Sequence, residues 1–177
     1  MKNIKLAFLF VALLWGIHAF NLFFPGDLRL MGIWPRSIQG LWGILFCPFL
    51  HRNFSHLCAN SGALIVLLSV SLTYSKKLTA IALMYIILFG GGMVWLLGSP
   101  GSLHIGASGV VFGLIGFLIC SGLTHQNLKA IVISILVCFF YGGALLSLFV
   151  VIPGISWSGH FFGFLSGILA CRLVHKS

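Results

Sequence analysis

The stretch Gly106-Ala107-Ser108-Gly109, with the apolar run from Val110 to Cys120 that follows it, decides the fold of this chain. It predicts a short apolar helix with a serine hydroxyl at its N-terminal end. Two other apolar segments carry polar side chains at a comparable position, His56 and Asn60 in one and His160 in the other. We expect the remaining segments to hold these three together.

The composition is typical of a chain that is surrounded by lipid. Of its 177 residues, 60% are hydrophobic and 6% are charged, and the mean hydropathy is +1.15. Because soluble domains carry about 25% charged residues, we predict an all-α membrane protein within a lipid bilayer. The net charge of +9 does not indicate nucleic acid, since the basic residues stand singly or in pairs at segment ends.

The only acidic residue is Asp27, which excludes several kinds of enzyme. One chain cannot supply the two carboxylates of a glycosidase or an aspartic protease. The zinc motif H-E-x-x-H is absent, and we expect neither a metal nor a cofactor. A Ser-His-Asp triad would need Asp27, which lies in an early loop. The five cysteines show no C-x-x-C spacing and are interpreted as small apolar residues.

Six apolar segments predict six transmembrane helices in a single membrane domain, residues 1–177. Their approximate bounds are 6–24, 54–74, 78–97, 108–120, 128–151 and 155–174. The connection 25–52 mixes arginine with aromatic residues, which suits a partly helical, re-entrant segment at the membrane interface. A polar turn is expected at 121–127 and a tight turn at Pro153-Gly154. Seven of the ten basic residues lie inside if both termini are cytoplasmic, which favours this orientation.

Three polar side chains share one predicted depth. Ser108, His160 and Asn60 each lie about 14 residues, or about 21 Å at 1.5 Å per residue, from the cytoplasmic end of their segment. The apolar core of a bilayer is about 30 Å thick, so all three lie below the outer surface. Polar groups at that depth are costly unless they meet one another or water.

Glycine spacing indicates how two of these segments meet. The glycines are Gly109, Gly113 and Gly116 in the fourth segment and Gly159, Gly163 and Gly167 in the sixth. Small residues at such spacing let membrane helices approach closely, which would bring Ser108 towards His160. For the glycines taken alone, packing is a sufficient explanation.

The polar groups suit nucleophilic catalysis. A serine hydroxyl needs a base within hydrogen-bond reach, for which His160 is the candidate. Backbone N–H groups at a helix N-terminus favour negative charge next to Ser108. His56 and Asn60, one helical turn apart, could add donors to an oxyanion. His104, in the outer loop, is a rival base that its loop position disfavours.

Three motifs follow one another along the chain: His56-x-x-x-Asn60, Gly106-Ala107-Ser108-Gly109 and Gly159-His160-x-x-Gly163-x-x-x-Gly167. Together they resemble the rhomboid intramembrane serine proteases, and the likeness runs from about Leu41 to Arg172. The stretch 35–45 is similar to the compact bacterial type.

The resemblance implies a six-helix fold in the bacterial inner membrane, with cytoplasmic termini and a water-filled cavity open to the outside. It implies Ser108 as the nucleophile, His160 as the general base and acid, and an oxyanion held by Asn60, His56 and the Ser108 backbone. The supporting residues would be Gly106, Gly109, Phe112, Gly163 and Gly167. The substrates would be single-span membrane proteins, with the fifth segment as gate and Pro153-Gly154 as cap.

The sequence departs from many rhomboids at three points. Trp42 precedes Gly43 rather than arginine, the turn after the second segment has no glutamate, and Phe112 stands in place of tyrosine. Phe112 can still stack on an imidazole. The alternatives are a non-catalytic rhomboid-like protein that binds clients and a small transporter. The transporter is disfavoured because its path would need ionisable residues within the segments.

Overall fold

A computed structural model of the chain describes residues 2–125, 127–151 and 154–174 and is built from helices. They are α1 (Lys2–Phe23), α2 (Gly40–Phe46), α3 (Phe54–Ser71), α4 (Lys76–Tyr85), α5 (Gly91–Leu97), α6 (Ser108–His125), α7 (Leu128–Leu146) and α8 (Trp157–Val174). A wider π-helical turn, Ile86–Gly90, joins α4 and α5 into one rod. No β-strand forms within these three ranges, which confirms the predicted helical class.

Four helices are long and apolar enough to cross a bilayer. Within the described ranges they are Asn3–Phe23, Phe54–Ser71, Lys76–Leu97 and Leu128–Leu146. Their outer faces expose large apolar side chains, as at Phe139 and Phe140 of α7, which are 78% and 71% exposed. Lipid rather than water solvates such a surface, so the chain is a multi-pass membrane protein.

Helix α6 lies at the centre of the bundle and contacts α3, α4, α7 and α8. From Val110 to Ser121 its side chains are buried or half-buried on every face, and Phe117 is the largest of those that are fully buried. A helix that is apolar all round suits such an enclosed position.

The contact between α6 and α8 is made by glycine backbones. A Cβ atom at Gly163 would overlap the carbonyl oxygen of Gly109, and one at Gly167 would overlap that of Gly113. Small residues allow this separation because no side chain stands between the two helices. The close approach that the glycine spacing predicts is therefore present.

Polar side chains fix where several helices begin. The side-chain oxygens of Asn53, Ser75 and Asn127 accept hydrogen bonds from the third N–H group that follows each residue, at 2.9, 3.3 and 2.9 Å. Such caps satisfy N–H groups that have no partner inside the helix. They start α3, α4 and α7.

Two helix ends differ from the predicted bounds. Helix α6 continues into the expected polar turn as far as His125. The hydroxyls of Ser121 and Thr124 fit within the helix because each donates to a carbonyl of the preceding turn, at 2.8 and 2.9 Å. Helix α7 ends at Leu146 rather than near residue 151, since Ser147 donates to the Ala144 carbonyl and the chain then turns. Pro153 lies outside the described residues, while Gly154 has a φ of 80°.

The first connection packs against the loop that precedes α6. Ile33 and His104 exchange backbone hydrogen bonds of 2.9 Å in both directions. The Arg36 guanidinium donates to the carbonyls of Leu96 and Gly98 at the end of α5, where a cation is favoured by the helix dipole.

We predict that Gly167→Ala lowers the melting temperature of the detergent-solubilised protein. The added methyl group meets the Gly113 backbone, and overpacking costs about 1–3 kcal/mol, more than the helix propensity of alanine returns. Gly142→Ala is the matched control, because nothing lies within 4 Å of a Cβ atom at that position in α7. Equal melting temperatures for the two variants would contradict the glycine contact.

Candidate active site

The turn at Gly106 sets the start of α6 and one wall of the site. Its φ of 121° suits glycine, and a Cβ atom there would lie 2.5 Å from Cε1 of His56. Its N–H group donates to the Cys47 carbonyl at 2.9 Å. The half-buried His56 imidazole therefore lies against the backbone two residues before Ser108.

His51 ties the first connection to this turn. Its Nε2 accepts from the Ala107 N–H group at 3.4 Å, and its ring lies edge-on to that of His56, with centroids 5.2 Å apart. The side chain is only 2% exposed. Burial, with a smaller effect of the neighbouring His56, lowers the pKa of His51 to about 4. His51 is therefore neutral near pH 7, a supporting role that the sequence alone does not indicate.

His160 projects from α8 onto the face of α6 that carries Ser108. Its ring stacks on Phe112, with centroids 4.1 Å apart and planes at 14°. Phe112 follows Ser108 by four residues and so lies below it on the same helix face. The imidazole is 8% exposed, and the Gly109–Gly163 contact holds α8 against this first turn.

The Ser108 hydroxyl makes no hydrogen bond to the His160 imidazole. Among the residues that the structure describes, the Ser108 hydroxyl donates to no acceptor, His160 included. The buried Asn60 amide donates to the His56 carbonyl at 3.1 Å rather than towards Ser108. The structure thus stacks His160 on Phe112 of α6 without bonding it to Ser108, and the Asn60 amide turns back onto its own helix.

His160 instead makes a contact that sequence reasoning missed. Its Nδ1 lies 3.2 Å from the Ser147 hydroxyl at the end of α7. The carboxylate of Asp27 pairs with the Arg29 guanidinium at 2.8 Å, and this hydrogen bond lowers the pKa of the carboxyl below its usual value. Asp27 is therefore engaged in the first connection and is not the partner of His160.

The rival base, His104, is engaged at both ring nitrogens. Its Nε2 lies 2.8 Å from the Ser102 hydroxyl and its Nδ1 lies 2.7 Å from that of Ser156. Ser156 also accepts from the Gly159 N–H group at 3.1 Å, at the start of α8. Burial lowers the pKa of His104. His104 therefore ties the loop before α6 to the start of α8, with no nitrogen free for Ser108.

A small cleft opens beside Ser108. Its lining includes Gly109 and Gly163 of the α6–α8 contact and the apolar side chains of Ile44, Ile86 and Val94. His160, His56 and Asn60 are not part of this lining. No group of three side chains suited to a metal ion occurs in the ranges that the structure describes.

The chain belongs to the rhomboid family, since the Rhomboid domain model matches residues 39–177. It is 39% identical to an uncharacterized protein of Mycobacterium bovis over 175 residues, which cover 93% of this chain and 72% of that one. An uncharacterized protein of Mycobacterium leprae is 38% identical, with 93% and 68% covered.

A plant protein is also similar to this chain. The RHOMBOID-like protein 1 of Arabidopsis thaliana is 29% identical over 130 residues, which are 73% of this chain and 33% of the plant protein. No solved structure matches the chain.

We predict that His51→Gln weakens the loss of stability at acid pH. Because the pKa of His51 is lower in the folded than in the unfolded chain, its contribution is present above about pH 6.5 and is lost as the pH falls towards 4. The loss amounts to about 3 kcal/mol. Glutamine keeps an acceptor for Ala107 but does not titrate.

Melting temperatures of the wild type and His51→Gln at pH 7.5 and pH 4.5 test this expectation. The wild type should lose more than the variant. An equal fall in both proteins would contradict a buried, neutral His51.

Proposed function

We propose that this protein is an intramembrane serine endopeptidase. It hydrolyses peptide bonds in or near the transmembrane segments of single-span membrane proteins, with Ser108 as nucleophile and His160 as general base and acid. The stacking of His160 on Phe112 carries the proposal. Together with the backbone contact of Gly109 and Gly163, it sets the imidazole beside the helical turn that begins with Ser108.

The proposed reaction has two halves. His160 takes the proton of the Ser108 hydroxyl as the oxygen attacks the peptide carbonyl carbon, and the leaving amine then receives that proton. A water molecule hydrolyses the resulting acyl ester in the same way. The N–H groups at the start of α6, with Asn60 and His56, stabilise the negative oxygen. Catalytic hydrogen bonds often tighten only when the substrate binds, which accounts for the open Ser108–His160 pair.

The proposed membrane arrangement has six crossings. They are α1, α3, the rod from residue 76 to 97, α6, α7 and α8, in a single domain of the bacterial inner membrane with cytoplasmic termini. The distribution of basic residues supports this orientation. The short apolar helix Gly40–Phe49 suits a re-entrant first connection. In this arrangement Ser108, at the start of α6, lies below the outer surface in a site that water reaches.

A non-catalytic, client-binding protein of the same family is the second candidate. Two observations favour it: the described contacts of Ser108 include no hydrogen bond to His160, and the Asn60 amide is bonded to the His56 carbonyl. Such a protein would keep the fold and the cleft but would not activate the serine hydroxyl.

Labelling with a serine-reactive fluorophosphonate distinguishes the two. We expect covalent labelling of the purified wild type and none of Ser108→Ala or His160→Ala. Ser121→Ala is the matched control, because its hydroxyl lies on the same helix but bonds to the Phe117 carbonyl; it should label like the wild type. Equal labelling of Ser108→Ala would remove the nucleophile, and a folded but unlabelled wild type would favour the client-binding candidate.

We predict that Asn60→Ala folds normally but cleaves a single-span model substrate about 100-fold more slowly, as the loss of an oxyanion donor typically does. Asn3→Ala is the matched control, because its amide bonds to the Leu72 carbonyl between α1 and the end of α3. Cleavage rates are compared only between variants that melt at the same temperature as the wild type, so that a loss of stability does not account for a slower rate. An unchanged cleavage rate in Asn60→Ala would contradict the proposed role of Asn60 in stabilising the oxyanion.

A further inference from the structure

We propose that Ser147 is a positioning residue that fixes which nitrogen of His160 carries the proton. The proposal rests on the proposed function, because a general base at this site must present an unprotonated nitrogen to Ser108. Ser147 follows the last residue of α7, whereas His160 belongs to α8. The contact therefore joins two helices at the base itself.

The hydrogen bonds of Ser147 determine the direction of this contact. Its hydroxyl oxygen lies 2.7 Å from the Ala144 carbonyl and 3.2 Å from Nδ1 of His160. A hydroxyl has one hydrogen, and a carbonyl oxygen can only accept. The Ser147 hydrogen is thus committed to Ala144, so the oxygen accepts and Nδ1 of His160 donates.

This direction fixes the tautomer of the imidazole. A neutral imidazole has one ring proton, which lies on Nδ1 when Ser147 accepts from it. The lone pair of Nε2 is then free to take a proton from Ser108. The stacked Phe112 ring holds the plane of the imidazole, while Ser147 sets its rotation within that plane.

Ser147 takes the place that a carboxylate holds in a catalytic triad. There the third residue keeps the histidine in the productive tautomer and stabilises its charged form. The one acidic side chain of this chain, Asp27, is paired with Arg29 instead. A neutral hydroxyl that accepts from Nδ1 does the same orienting work without burying a second charge in an apolar site.

Nitrogen-15 NMR of histidine-labelled protein in lipid bilayers reads the tautomer directly. The signal of His160, one of seven histidines, is identified by its loss in His160→Ala. We expect the proton on Nδ1 in the wild type and in Ser147→Thr, which keeps the hydroxyl, and a mixture of both tautomers in Ser147→Ala. Ser134→Ala is the matched control on α7, because its hydroxyl bonds to Ile119.

The same four proteins are compared by the rate of fluorophosphonate labelling at pH 7. Ser147→Ala should label roughly fivefold more slowly or worse, since only the productive tautomer reacts, while Ser147→Thr and Ser134→Ala should match the wild type. A wild-type proton on Nε2, or an unchanged tautomer and rate in Ser147→Ala, would overturn the proposal. An unlabelled wild type would refute the proposed protease, while the tautomer would still decide the role of Ser147.

Discussion

The close contact between the backbones of α6 and α8 is the constraint on which the remainder of the structure depends. In lipid, no hydrophobic driving force brings apolar helices together, so close packing and polar contacts must hold them in place. Gly163 and Gly167 let α8 lie directly against Gly109 and Gly113. The stacking of His160 on Phe112 follows from this contact, because a larger side chain between the helices would move the rings apart.

Polar contacts hold the segment that leads into α6. His51 reaches the Ala107 N–H group, His104 bridges to Ser156, and Ile33 pairs with the His104 backbone. All three use neutral groups, which suits a site enclosed by apolar helices. The first connection therefore supports the start of the central helix from outside the bundle, and it does so without the arginine and glutamate that many rhomboids carry.

The fold could be predicted further from the sequence than the contacts of the site. Hydropathy and glycine spacing indicate a helical membrane protein and the approach of α6 to α8, because both follow from residue type and position along one helix. The sequence does not indicate where α7 ends or which residue bonds to His160. A serine in an apolar segment can bond to its own helix or to a neighbour, and the choice at Ser147 depends on how α7 is rotated against α8. His104 is similar, since its two serine partners, Ser102 and Ser156, come from segments that are far apart in the sequence.

The Ser147 hydroxyl next to the His160 imidazole comes from the end of α7, and the exposed Phe139 and Phe140 show that one face of α7 is turned to lipid. Under the proposed function, a substrate helix that enters the site from the lipid past α7 must displace α7. The Ser147 hydroxyl, which orients the His160 imidazole, moves with it. His160 then lacks its orienting contact while the substrate enters and regains it when α7 moves back. Membrane proteins that contact the site only briefly would then not be cleaved, and cleavage would be confined to substrates that stay bound until the contact has reformed.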